Sequence, residues 1–160
     1  MDNNLRKCAQ YHCDSHVVKM ILESTQILCT VLHENGVTTP YRPTHRKHPC
    51  VVWAGKSLDN WVWLRGLIIE LNREYQYRFN RQKAHQSAIV TKSLQLPLLP
   101  SLGITERPLV MPDKYKRLGN PIASYRYFYA CEKKHLLKYT KRLQPYWLAA
   151  IDCNSFNNRL

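Results

Sequence analysis

The side chains best suited to chemistry lie on one face of a predicted helix near the start of the sequence. This polar stripe consists of His12, His16, Lys19, Glu23, Gln26, Thr30 and His33. The gaps between them alternate between 4 and 3 residues, which keeps them on one side of a helix. Glu23 is the only acid in the stripe, and a carboxyl group there can act as a general base, a proton donor or an electrostatic stabiliser of developing positive charge. We predict a catalytic site formed by Glu23, His16 and Lys19.

Two other interpretations of the polar stripe remain open. A solvated helix face is one, although such faces usually carry several Glu and Lys residues, whereas this stripe has one of each and three histidines. A zinc site is the other, because His and Cys also occur close together in residues 8–16 and 45–50. The sequence contains no Cys-x-x-Cys pair and no His-Glu-x-x-His motif. We therefore predict neither a metal nor another cofactor.

The charge balance indicates a partner rich in phosphate. The chain has 24 Lys and Arg against 11 Asp and Glu, a net charge of +13, and each contact between a basic side chain and a phosphate releases condensed counterions. A basic protein without a nucleic-acid partner is the alternative. The predicted nucleic-acid-binding residues are Arg42, His45, Arg46, Lys47, His48 and Trp53 in or just after a proline-rich basic loop, and Arg126, Lys133, Lys134 and Lys138 near the C-terminus. Trp53 is the aromatic residue best placed to form a site wall.

The same sequence favours a cytoplasmic protein. It has no run near the roughly 18 apolar residues that a membrane span needs, and residues 1–7 lack the pattern of a secretion signal. In a reducing compartment, we expect most of the six cysteines to be buried small apolar side chains rather than disulfide partners.

These residues require a helical scaffold to position them. Apolar periodicity predicts main helices over residues 5–33, 57–79 and 121–143 and a shorter helix over 87–94. Ser57 can cap the second main helix, and Pro121 suits the first turn of the third. Residues 40–49 and the proline-rich stretch that follows the short helix are predicted to be irregular. We predict an all-α fold: a single domain over residues 1–160 with three main helices and long irregular connections.

Four segments also resemble known proteins. They are residues 11–23 (YHCDSHVVKMILE), 43–49 (PTHRKHP), 125–129 (YRYFY) and 145–147 (PYW). These segments are the motifs of a resemblance between this chain, over nearly its whole length, and a group of bacteriophage proteins. More distantly, that group is similar to the phage pyrimidine-dimer DNA glycosylases of the endonuclease V type. The anchors of the distant resemblance are a His seven residues before a helical Glu, a loop with Pro-Thr and His, and a late Pro-x-Trp.

The resemblance implies an enzyme that flips a base out of double-stranded DNA, including DNA with modified or damaged pyrimidines. It implies that Glu23 is the catalytic acidic group and that His16 is a nearby site residue. It also implies that the protein acts in the cytoplasm of the host cell. The nucleophile of those glycosylases is the α-amine of a small residue, whereas residue 2 here is Asp2, so Lys19 becomes a candidate only if it is buried. A phage DNA-base-modifying transferase and a non-catalytic phage DNA-binding protein are the alternatives.

Overall fold

The computed structural model describes residues 1–153, and it confirms the predicted all-α fold. Within these residues there is no strand. The α-helices are α1 (Leu5–Gln10), α2 (Asp14–Glu34), α3 (Pro49–Lys56), α4 (Leu58–Arg78), α5 (Gln86–Ser93), α6 (Pro121–Glu132) and α7 (Tyr146–Ala150). Short 3₁₀ turns cover Asp113–Tyr115 and Lys134–Leu136. None of the helices in residues 1–153 is long and apolar enough to cross a membrane.

The main core forms where α2 packs against α4. Ile21, Leu28 and Leu32 of α2 are fully buried, as their spacing predicts, together with Val17, whereas Val18 of the same predicted face is exposed. The buried side chains meet a buried face of α4 that includes Trp61, Leu64, Ile68 and Leu71. Each such side chain contributes about 1.5–3 kcal/mol when it leaves water. Ser57 caps α4 as predicted, because its Oγ accepts a hydrogen bond from the backbone N–H of Asp59 at 3.2 Å.

The predicted first helix is broken in two, which corrects the sequence interpretation. The break covers residues 11–13, between α1 and α2. The guanidinium of Arg78 donates to the carbonyl oxygens of Gln10 and His12, at 2.9 and 2.8 Å. The N–H of Asp14, which would bond to Gln10 in a continuous helix, donates instead to the carbonyl of Lys138 at 2.8 Å. His12 therefore lies in the turn before α2, and the rest of the polar stripe lies on α2 itself.

The predicted C-terminal helix is also too long. It ends at Glu132 rather than at residue 143, and residues 138–140 turn back to the start of α2. There the carboxylate of Asp14 accepts hydrogen bonds from the backbone N–H of Thr140, at 3.0 and 3.1 Å, and from its hydroxyl at 2.6 Å. Because of this turn, Lys133, Lys134 and Lys138 do not share one helix face.

Residues 49–56 form a helix, α3, that the sequence patterns did not predict. Pro49 occupies the first position of α3, and the Nδ1 atom of His48 accepts the N–H of Cys50 at 3.2 Å. The preceding basic loop is attached to α2, because the N–H of Thr44 donates to the hydroxyl of Thr30 at 3.1 Å. Thr30 is consequently buried within the polar stripe rather than exposed.

The cysteine prediction is confirmed in part. Cys8, Cys13 and Cys29 are buried and unpaired, as expected. Cys131 and Cys153 form a disulfide, so the expectation is wrong for them. Their Cα atoms lie 5.6 Å apart after the turn that follows α6 returns the chain towards this helix, a separation that suits a disulfide.

One buried ionic network joins α4 to the start of α2 and to the segment that follows α6. The side chain of Arg78 is fully buried and pairs with Glu74 at 2.9 Å and with Asp14 at 3.2 Å. Glu74 is also nearly fully buried and accepts two further bonds from Arg142, at 2.7 and 3.0 Å. Charges this deeply buried are tolerated only when their hydrogen-bonding groups are matched. The network therefore fixes the turn before α2.

We expect Arg78→Met to lower the free energy of unfolding by about 3–5 kcal/mol, because it leaves buried acids without their partner. Arg73→Met is the matched control on the same helix. Arg73 is exposed and, among the described residues, pairs only with Glu70, so its loss should cost less than about 1 kcal/mol. Urea unfolding measures both changes in the free energy of unfolding. Equal losses in the two variants would contradict the stabilising role of the buried network.

Candidate functional site

A cavity of about 270 Å³ lies between α2, α4 and α6, beside the start of α3. Its walls include the aromatic rings of Trp53, Trp63, Tyr125, Phe128 and Tyr129. Trp53 and Trp63 meet edge to face, with ring centroids 6.1 Å apart. Such walls suit a planar apolar ring with a polar edge. The structure thus places Trp53 in a cavity wall, while its contact with nucleic acid stays a prediction.

His12 supplies a neutral ring to this cavity. Its Nδ1 lies 2.8 Å from the carbonyl oxygen of Cys8, and because a carbonyl only accepts hydrogen bonds, Nδ1 carries the proton. Burial, reinforced by the nearby amino group of Met1, lowers the pKa of His12 to about 3. His12 is therefore uncharged at neutral pH, and its Nε2 is a hydrogen-bond acceptor.

His16 lies in the cavity wall as part of a small cluster at the start of α2. Its ring packs edge-on against Tyr129 with centroids 5.3 Å apart. The hydroxyl of Tyr129 accepts the N–H of Cys13 at 2.8 Å. Burial raises the pKa of the Cys13 thiol, but hydrogen bonds from His16, Ser15 and Tyr129 outweigh burial and lower it to about 6. The cluster orients His16, whose catalytic role stays a prediction.

Glu23 lies at the rim of the cavity and not inside it. Met20 and Ile27, three residues before it and four after it, both line the cavity. Cys50 also lines the cavity, and the pKa of its thiol is raised by burial and by the charge of Glu23. Glu23 pairs with Lys19 at 3.2 Å, with side chains 43% and 61% exposed. Lys19 is not buried, so the condition for its use as a nucleophile is not met.

Apart from Trp53, the predicted nucleic-acid-binding residues fall into three groups. The first is exposed on the surface and consists of Arg42, His45, Arg46, Lys47, His48, Lys134 and Lys138. The second is Lys133, which lines the cavity and lies 5.2 Å from the ring centre of Phe128. The third is Arg126, whose guanidinium binds the carbonyl of Met1 at 2.9 Å and the carboxylate of Asp2 at 3.0 Å. Arg126 therefore holds the N-terminal segment.

Sequence patterns did not identify two polar residues of the cavity, Ser24 and Arg107. The guanidinium of Arg107 lies 4.3 Å above the ring of Trp63, and its Nη1 donates to Asn3 at 2.7 Å. Burial lowers the pKa of Arg107. Ser24 is on the buried side of α2. Neither residue belongs to a motif, and Arg107 lies in an irregular stretch where periodicity carries no information.

Within residues 1–153, no three His, Cys, Asp or Glu side chains are arranged to hold a metal ion. Searches of family models, of curated proteins and of solved structures find no match to this chain.

We expect acid to destabilise the protein through His12. In the unfolded chain His12 takes up a proton near pH 6.5, whereas the folded chain resists it down to about pH 3. Stability should therefore fall with falling pH by up to about 1.4 kcal/mol per pH unit below 6.5. Urea unfolding at pH 7.5 and 5 should show a smaller loss for His12→Asn than for the wild type. The side-chain amide of asparagine can still donate a hydrogen bond to the carbonyl oxygen of Cys8, but it does not titrate.

His135→Asn is the control, because His135 is exposed. It should keep the pH dependence of the wild type. The same loss of stability between pH 7.5 and 5 in His12→Asn and the wild type would contradict a neutral buried His12.

Proposed function

We propose that this protein binds double-stranded DNA and acts on a base that turns out of the duplex into the cavity. The observation that carries the proposal is an aromatic cavity whose mouth combines a carboxylate, Glu23, with basic segments on two sides. The resemblance to phage pyrimidine-dimer glycosylases supports the excision of a base, and modification of the base by group transfer is the other form of the same proposal.

The walls of the cavity support an aromatic ligand. Proteins that act on a flipped base stack it between aromatic or apolar side chains and bind its polar edge. Trp53, Trp63 and Phe128 provide such surfaces here, and the interior also contains a few polar groups. This combination of apolar walls and few polar atoms is typical of sites for small planar rings.

The charge distribution supports DNA as the source of that base. Lys133 lines the cavity on one side, close in sequence to the exposed Lys134 and Lys138. On another side the cavity is lined by Cys50, directly after the exposed basic loop. Phosphates of a bound strand can therefore contact basic residues on both sides of the mouth.

The position of Glu23 suits chemistry at the sugar. If the base occupies the cavity, its sugar lies at the rim, where Glu23 is. During excision the bond between C1′ and the base nitrogen breaks with its electrons going to the base, and positive charge develops on the sugar. A carboxylate at the rim stabilises that charge. Water then bonds to C1′ and gives up a proton, and the departing base takes up a proton, a role that we assign to His16 because it lines the cavity.

We expect Glu23→Gln to lower turnover by about 100-fold or more, because it removes the charge that stabilises the transition state. The assay incubates the protein with normal and phage-type modified DNA and identifies free bases and nucleosides by mass spectrometry. Glu34→Gln is a matched control, since Glu34 lies on the same helix, is 48% exposed and pairs with Arg46.

Glu34→Gln should retain turnover. Full turnover by a folded Glu23→Gln variant would refute the catalytic role of Glu23. Salt-dependent DNA binding by the wild type without any product would favour the alternative, a non-catalytic DNA-binding protein.

Charge neutralisation tests the DNA-binding step separately. Lys47→Gln should reduce the slope of log affinity against log salt by about 0.9, because one phosphate contact is lost. Lys92→Gln makes the same charge change at an exposed residue of α5, outside the predicted DNA-binding segments, and should leave the slope unchanged. Fluorescence anisotropy of labelled duplex DNA at several salt concentrations measures both slopes, and equal slopes would contradict the predicted interface.

A further inference from the structure

We infer that the cavity takes a base that carries an alkyl group, as thymine carries its 5-methyl group, and recognises it by apolar contact rather than by hydrogen bonds to its pairing edge. The inference rests on the proposed function, because it concerns the same cavity. It adds the chemical class of the base and the physical basis of its selection. The observation that carries it is the apolar character of nearly all the surface that the described residues expose to the cavity.

The tryptophan and tyrosine side chains of the cavity wall use their polar atoms within the protein. The indole N–H groups of Trp53 and Trp63 donate to backbone carbonyl oxygens, at 3.2 and 3.4 Å. The hydroxyl of Tyr125 donates to a backbone carbonyl at 2.7 Å, and that of Tyr129 accepts a backbone N–H at 2.8 Å. These aromatic rings therefore present mainly carbon to a ligand.

The remaining polar groups around the cavity do not match the edge of a base. The Oγ of Ser24 and the Nε of Arg107 have no partner among the described residues, but protein atoms cover both of them. His12 adds one acceptor, the Nε2 of its neutral ring. The pairing edge of a base has several donors and acceptors side by side, so a single acceptor leaves most of that edge unpaired. The proton transfer assigned to His16 concerns the ring atoms next to the sugar and not the pairing edge.

The rest of the lining includes aliphatic side chains that suit an alkyl group. Met20 and Ile27 belong to α2, and Leu64 and Leu67 belong to α4. Leu64 and Leu67 are buried in the main core, so this part of the wall has a fixed shape. Each CH₂ group of a ligand that leaves water against such a wall raises the affinity about fourfold.

The volume of the cavity limits the size of the ligand. At about 270 Å³, it lies just below the roughly 300–1,000 Å³ of sites for drug-sized ligands. It therefore suits one substituted ring, with the sugar at the rim beside Glu23. Sites for flipped bases commonly also bind the pairing edge, whereas here an unpaired edge costs affinity. Apolar contact must offset that cost, which favours an alkylated base over the same base without its alkyl group.

Four deoxynucleosides test the inference with the full-length chain and no DNA. Deoxyuridine, thymidine and 5-ethyldeoxyuridine have the same pairing edge and differ only in the number of CH₂ groups. The difluorotoluene deoxynucleoside has the shape of thymidine, but fluorine atoms replace its carbonyl oxygens and carbon replaces its ring N–H. Ligand-observed ¹⁹F NMR measures the binding of this apolar isostere, and displacement of the isostere measures the other three.

Affinity should rise about fourfold with each added CH₂ group in the three uracil derivatives. The isostere should bind at least about tenfold more tightly than thymidine, because it has no polar edge to strip of water. Equal affinities among the three derivatives would overturn the inference. Thymidine that binds as tightly as the isostere, or no binding of the isostere at its solubility limit, would also overturn it.

Phe128→Leu tests whether these ligands bind in this cavity. Loss of the ring should lower the affinity for the isostere about fivefold or more, because a stacking surface is lost. Phe79→Leu is the matched control. Phe79 is partly buried like Phe128, but it packs against the main core and against Tyr75, with ring centroids 5.9 Å apart, outside the cavity. It should keep the affinity of the wild type, and equal affinities of the two folded variants would overturn the inference.

The failure of this inference and that of the proposed function are distinguishable. Preference for the isostere and for the alkylated nucleosides without any product from DNA would support the inference and overturn the proposed enzymatic function. Turnover of DNA by a protein that binds thymidine more tightly than the isostere would overturn the inference and leave the proposed function in place.

Discussion

The buried guanidinium of Arg78 is the constraint on which the rest of the structure depends. It satisfies carbonyls of the turn between α1 and α2 and pairs with Asp14 and Glu74. A buried cation is unstable without such partners, so the turn, α4 and the C-terminal segment cannot move independently. The same turn takes His12 off α2 and places it in the cavity wall. The polar character of the site is thus a consequence of a structural ion network.

The irregular stretch after α5 depends on α4 in a similar way. The Asn60 side chain accepts the N–H of Thr105 at 2.9 Å and donates to its hydroxyl at 2.7 Å. The carboxylate of Asp59 accepts the N–H of Gly103 at 3.0 Å. These bonds satisfy a backbone that has no regular structure. They also fix the segment just before Arg107, which explains how a residue on a loop can have a defined position over Trp63.

Local patterns predicted the parts of the fold that depend on local interactions. The apolar face of α2 and the Ser57 cap of α4 follow from periodicity and from the chemistry of one side chain. The break before α2 does not, because Arg78 lies more than 60 residues away in the sequence. The return of the chain at Thr140, after α6, likewise depends on the distant carboxylate of Asp14. In the site, the stripe on α2 indicated His16 and Glu23, whereas Arg107 reaches the cavity only through tertiary contacts.

The division between the rim and the interior of the cavity has a physical basis. Glu23 and Lys19 form an exposed pair, and such pairs contribute less than about 1 kcal/mol. On the proposed function, a strand of DNA that covers the rim would therefore separate this pair at little cost, with a phosphate taking the lysine. Exclusion of water then strengthens the field of Glu23 at the nearby sugar. The aromatic walls of the interior, such as Trp53 and Trp63, carry no charge and depend on no such change. On the proposed function, the charge at the rim reaches full strength only when DNA is bound.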